Sequence, residues 1–169
     1  MHFEDGFHLV LKRDCPTCTL IEPEVRKLVE SGDFGQNFRI HIQDDPSYLS
    51  DLSQSVSDAS LESSYRLKIE TVPTLIRFEN GEETSRSVGW VRKEWSQLLK
   101  EPMFGEHLPE SRPGCGSLTV MPGVKETLDA RFGVLHLNSR TIEIGEFDDL
   151  IEQAFEHEWS DRLPIVPHT

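Results

Sequence analysis

The chain has 169 residues, with 17 basic and 30 acidic side chains and a formal net charge of −13 at pH 7. Such a surface makes nucleic acid a poor partner, because binding it relies on cationic side chains displacing counterions from phosphates. A hydrophobic share of 36% is below the usual globular average. No apolar run approaches the roughly 20 residues a membrane helix needs. The start, Met1-His2-Phe3-Glu4-Asp5, has neither the basic opening nor the apolar stretch of a secretion signal. These features predict a soluble, cytoplasmic protein with no membrane contact, built as one domain plus an extension or as two small domains.

Residues 7–13 are β-prone and mostly apolar, as expected of a strand covered on both faces. The following segment places Leu20, Ile21, Val25, Leu28 and Val29 on one stripe of a helix that ends near Ser31-Gly32, with Pro23 inside it as a kink. Residues 38–42 alternate apolar and polar and predict a second strand. The stretch 44–64 is polar and serine-rich, which predicts an exposed insertion, and residues 61–69 then look helical. A strand over 75–78 runs into Asn80-Gly81, a strong hairpin signal because both positions tolerate positive φ. Its partner strand covers 83–88, and a closing helix over 91–100 turns Trp95, Leu98 and Leu99 inward.

Between the first strand and the first helix lies Asp14-Cys15-Pro16-Thr17-Cys18. Two thiols at C-x-x-C spacing at a strand-to-helix junction read as a dithiol/disulfide redox pair. The first helical turn has free N–H groups and a partial positive charge, which hold a cysteine there partly as thiolate, the attacking species in exchange. Cys15 falls at the mouth of the helix and Cys18 one turn further in, close enough to resolve a mixed disulfide formed at Cys15; two sulfurs buried out of reach of any partner would count against an enzyme.

The order strand, C-x-x-C, helix, strand, helix, strand, strand, helix resembles the thioredoxin family over residues 1–103. Further matches are Pro23 within the first helix, the run from Tyr65 through Val72-Pro73-Thr74-Leu75, the Phe78-Glu79-Asn80-Gly81-Glu82 turn and Ser87-Val88-Gly89. The resemblance implies an α/β fold, a three-layer α/β/α sandwich with a mixed sheet over 1–103, followed by a small α+β extension over 104–169. It implies a thiol-disulfide oxidoreductase with Cys15 as nucleophile and Cys18 as resolving thiol. No cofactor is expected beyond a redox-active Cys15–Cys18 disulfide. The partners would be a disulfide-containing protein or small molecule and an external reductant or oxidant. Pro73 would be the family's cis-proline, leaving the Val72 backbone free to pair with an extended substrate segment, with Gly89 and Trp90 on the same contact surface.

The departures matter too. Asp14 stands where the family has a tryptophan, so Trp90 either supplies the aromatic contact surface or is ordinary packing. Leu9 replaces the family's buried aspartate, so Cys18 needs another base or a water to take its proton; Glu22 is a candidate, or else an ordinary solvated helix carboxylate. Arg39 stands roughly where the family often has a lysine near the site. Pro-Thr between the cysteines differs from the family's Gly-Pro and leaves the redox direction open.

After Glu101 the composition changes to a proline- and glycine-punctuated stretch, then a short helix over 125–132 stopped by Gly133. Strands over 134–137 and 141–144 and an acidic amphipathic helix over 146–159 follow as a small β-β-α unit. Cys115, in Pro113-Gly114-Cys115-Gly116, is either an incidental small residue or a second redox thiol that exchanges with Cys15. The seven histidines lack ligand spacing, so no metal is expected. A second reading keeps the scaffold without catalysis, as a binding module whose acidic C-terminal unit holds a protein partner.

Overall fold

The computed structural model describes residues 3–32 and 37–133. Strand β1 (Gly6–Leu11) leads into helix α1 (Pro16–Glu30), then strands β2 (Phe38–Ile42) and β3 (Ser55–Ser57) and the short helix α2 (Glu62–Arg66). Strands β4 (Thr71–Val72), β5 (Thr74–Glu79), β6 (Glu82–Val88) and β7 (Trp90–Val91) precede helix α3 (Arg92–Leu99). Beyond it come β8 (Ser111–Arg112), β9 (Cys115–Gly116), a 3-10 turn at Leu118–Val120 and helix α4 (Val124–Phe132).

Five strands form one mixed sheet in the order β3-β2-β1-β5-β6. β1 runs parallel to β2, and β2 parallel to β3, while β1 pairs antiparallel with β5 and β5 with β6. Every residue of β1 from Phe7 to Leu11 is buried. Successive side chains point to opposite faces of a sheet, so both faces are covered at its centre. This is the thioredoxin-like α/β arrangement the sequence implied. The hairpin turn sits at Asn80-Gly81, both at positive φ, and the Asp5 carboxylate accepts hydrogen bonds from their two N–H groups. On β1 and β2 the imidazoles of His8 and His41 stack 3.0 Å apart, nitrogen to nitrogen, inside the core.

Two expectations change. The 44–64 stretch is not an exposed insertion: Tyr48, Leu49, Leu52 and Leu61 are buried, and Ser55–Ser57 adds β3 to the sheet edge. Its serines hide a wide-spaced apolar set that closes the core through tight turns rather than through a periodic element. The expected boundary at residues 103/104 is also corrected, since the described chain packs as one compact unit within Met1–Val134. Phe104 and Leu128 are buried, β8 pairs with β7 and β9 pairs with β4, so residues 104–133 are bound into the domain. The proline and glycine punctuation that suggests a linker instead shapes a chain that turns often while hugging the surface. The expected strands over 134–137 and 141–144 and the helix over 146–159 lie outside the described residues.

Candidate redox site

Pro16 at the first helical position supplies a preset φ and lacks an N–H that would have no partner there, so α1 starts sharply after Cys15. Cys15 is extended and caps the helix: its Sγ accepts a hydrogen bond from the Cys18 N–H at 3.4 Å. The preceding loop is clamped from the end of β2, where the Asp44 carboxylate accepts from the Arg13 and Asp14 N–H groups at 2.8 and 2.9 Å. Burial of the stripe Cys18, Ile21, Val25 and Leu28 fixes the roll of α1. The two thiols are thereby presented together.

Cys15 Sγ also lies 2.8 Å from Cys115 Sγ and 3.5 Å from the Val72 carbonyl. All three cysteines are free thiols. The Cys15 thiol is pulled down to about 5, first by the Cys18 thiol donating to it and against desolvation, with Cys115 and the Cys18 and Thr17 N–H groups also lowering it. Burial pushes Cys18 far up, and the hydrogen bond it gives Cys15 adds to the shift. Burial likewise raises Cys115, reinforced by its hydrogen bond to Cys15. The arrangement is one thiolate served by two protonated thiols. Such a set can exchange disulfides, with the thiolate as attacker or as leaving group.

The Val72–Pro73 peptide bond is cis and stands across from this cluster. Antiparallel pairing sets Val72 opposite Cys115 and Thr71 opposite Gly116, so the backbone that would receive a substrate strand is already paired with the chain's own β9. Next to it β7 pairs with β8, placing Trp90 opposite Arg112. Gly89 is buried against this segment, where an added Cβ would meet Gly114 N at 3.0 Å. Trp90 is 0% exposed, packs on Trp95 and Phe104, and donates its indole N–H to the Pro109 carbonyl. Its place is in the packing, not on a contact surface.

Cys15 is only 1% exposed and Cys18 0%. This corrects the expectation of an attacking sulfur open at the helix mouth: residues 113–116 lie over it. Thr17 Oγ1 donates to the Pro113 carbonyl and Lys12 Nζ to the Gly116 carbonyl, tying the segment down on both sides of Cys115. Buried Gln43 donates to Ser117 and Ser64 and accepts from the Leu118 N–H. Lys12, Thr17 and Gln43 carry no sequence signal for this work, because their partners are 104, 96 and 74 residues away. Glu22 is held by Arg26 at 3.0 Å, and Arg39, at the far end of β2, by Glu4 at 3.1 Å. Among the described residues no group of three or more His, Cys, Asp or Glu side chains could hold a metal ion.

No protein-family model matches the chain, and no curated protein matches it. Solved structures do resemble it. The exposed lipoprotein thioredoxin of Streptococcus pneumoniae is 13% identical, with 58% of this chain and 84% of that one covered and a TM-score of 0.46. StoA from Bacillus subtilis is 16% identical over 60% of this chain and 85% of that one, also with a TM-score of 0.46. A secreted disulfide oxidoreductase of Mycobacterium tuberculosis, homologous to E. coli DsbE, is 14% identical over 57% and 81%, with a TM-score of 0.43. The cytoplasmic placement expected from the sequence is withdrawn on this finding. One of these proteins is described as an exposed lipoprotein and another as secreted, so the architecture is no mark of the cytoplasm. Among the described residues no helix is long and apolar enough to cross a membrane.

Proposed function

We propose that this chain is a thiol-disulfide oxidoreductase in which the Cys15 thiolate exchanges with a disulfide and Cys18 closes the protein disulfide. The observation that carries the reading is the cap. Cys15 Sγ sits at the start of α1, receives the Cys18 N–H and is held far below the ordinary thiol value, while Cys18 waits protonated one turn on. A low-pKa sulfur is present as thiolate at neutral pH and is also the better leaving group, so the pair is suited to rapid exchange in both directions. The partner class is a disulfide-bearing protein or small molecule, reset by an external thiol or oxidant, and no further cofactor is called for.

A binding module on the same scaffold has one observation on its side, the burial of both sulfurs beneath residues 113–116. It requires neither the cap nor the thiolate, which is why the enzymatic reading is preferred. Reduction of a model disulfide by the full chain with an external dithiol separates the two. Cys15→Ser abolishes the activity, and peptide mapping of the oxidised wild-type chain finds Cys15 bonded to Cys18. Full activity in Cys15→Ser, or an oxidised chain whose Cys18 remains a free thiol, overturns the reading.

A further inference from the structure

The pair just described does not reach solvent. With Cys15 1% and Cys18 0% exposed, Cys115 is the one partly exposed sulfur of the cluster. Its Sγ is 2.8 Å from Cys15 Sγ, against about 2.05 Å for a bonded pair, so closing that gap needs only a small side-chain shift.

The segment bearing it does not resemble a loose flap. Pro113 and Gly116 are held by Thr17 and Lys12, and the Ser117 N–H donates to the Glu70 carbonyl. Gln43, buried beneath, binds both Ser117 and the Leu118 N–H. The backbone completes a two-residue ladder with Thr71–Val72. Lifting it away would take Ser117 and the Leu118 N–H from the buried Gln43 amide, a cost the fold has no evident means of recovering. Gly114 permits the close seat: a Cβ there would run into Thr71 and come within 2.5 Å of the Val72 carbonyl oxygen.

We propose that Cys115 is a third catalytic thiol, the sulfur at which an outside partner exchanges, and that a Cys15–Cys115 disulfide is an intermediate between the partner and the Cys15–Cys18 pair. This rests on the oxidoreductase reading above and deepens it.

In the reducing direction the steps balance as follows. The Cys115 thiol gives up its proton and attacks a partner disulfide; a Cys115–partner bond forms, the partner's own S–S bond breaks, and the departing thiolate takes that proton. Cys15 thiolate then attacks Cys115 Sγ, expelling the second partner thiolate, which is protonated from water, and leaving Cys15–Cys115. Cys18 loses its proton and attacks Cys15 Sγ, so Cys115 departs as thiolate and recovers a proton. Two electrons pass from Cys15 and Cys18 to the partner, and Cys115 is regenerated. An external dithiol runs the sequence backwards: its thiolate attacks the exposed Cys115 sulfur of Cys15–Cys115, and the low-pKa Cys15 is the leaving group.

The test uses full-length chain, reduced and mixed with glutathione disulfide, acid-quenched over a time course, alkylated and mapped by mass spectrometry. In the wild type, glutathione is found first on Cys115, followed by Cys15–Cys115 and then Cys15–Cys18. In Cys18→Ser the chain accumulates Cys15–Cys115. Cys115→Ser still arrives at Cys15–Cys18 but about tenfold or more slowly, a change in rate that loss of a merely structural residue would not confine to the approach. Glutathione on Cys15 in Cys18→Ser with Cys115 left free overturns the proposal, as does a Cys115→Ser chain that oxidises as fast as the wild type. Either result would mean that the partner meets Cys15 directly once the segment moves aside, and both leave the oxidoreductase reading standing. A wild-type chain that forms no Cys15–Cys18 bond at any glutathione ratio overturns both.

Discussion

At the scale of single residues, the chemistry depends on which sulfur carries the charge. Cys15 receives hydrogen bonds from the Cys18 thiol, the Cys115 thiol and two backbone N–H groups, and their sum outweighs the desolvation that opposes ionisation. The folded pKa is depressed from 9.0 to about 5, so the thiolate is present above that value and is lost as the pH falls through it. The Cys15 thiolate fraction is therefore flat from neutral pH down to near 5 and declines below. Ultraviolet thiolate absorbance of the reduced chain checks this, with the signal missing in Cys15→Ser. Because Cys18 is the largest of the lowering influences, Cys18→Ala moves the midpoint upward; an unmoved midpoint would assign the thiolate to the helix-end N–H groups and Cys115 instead. The sequence made part of this legible. C-x-x-C at a strand-to-helix junction names the pair and its order, since spacing of three in a first turn fixes the geometry. Cys115 is a different case. Its place beside Cys15, 100 residues away along the chain, arises from two short ladders, and no local pattern encodes such a contact.

At the scale of elements, β4 and β9 form one of the two shortest ladders among the described residues, yet it decides what reaches the site. Two residues pair with two, and the seat is tight enough to require glycine at position 114. Gly114→Ala would force the backbone of residues 113–116 away from Thr71 and the Val72 carbonyl, since a backbone oxygen cannot yield as a flexible side-chain tip can. The expected outcome is overpacking, costing about 1–3 kcal/mol of stability, together with faster alkylation of Cys15 by iodoacetamide once the cover is displaced. Mass-spectrometric labelling kinetics measure it, and unchanged labelling would show that the segment does not shield the sulfur. The elements that sequence foretold well, β1, α1, β5, β6 and α3, have long apolar periods or a paired turn such as Asn80-Gly81. The ones it missed, β3, β4, β7, β8 and β9, are two or three residues long. Strands that short have no period to read and exist only because a neighbour completes their hydrogen bonds.

For the whole molecule, the question is what residues 104–133 contribute. Proline and glycine density made them read as a tether leading to a separate unit. The structure instead buries Phe104 against Trp90 and Trp95, the Trp95 ring stacked on it and the Trp90 ring tilted, each with its centroid 6.0 Å away. Leu128 of α4 is also buried, and Tyr65 Oη donates to the Asp129 carboxylate at 2.7 Å, joining α4 to α2. A chain ending at residue 103 would therefore lose the cover over Trp90, a fully buried indole whose N–H now bonds the Pro109 carbonyl. Uncovering one large aromatic and discarding Phe104 removes apolar burial on the order of several kcal/mol, a large fraction of the 5–15 kcal/mol or so that stabilises an ordinary domain. Urea unfolding followed by tryptophan fluorescence should show a strongly lower midpoint for a chain of residues 1–103 than for a chain of residues 1–134. Equal midpoints for 1–103 and 1–134 would mean that the covering segment is an appendage, and the thioredoxin-like core would then stand without it. The structure argues otherwise, because the residues that close the core over Trp90 also carry Cys115 to Cys15, so stability and access to the thiolate are set by the same stretch of chain.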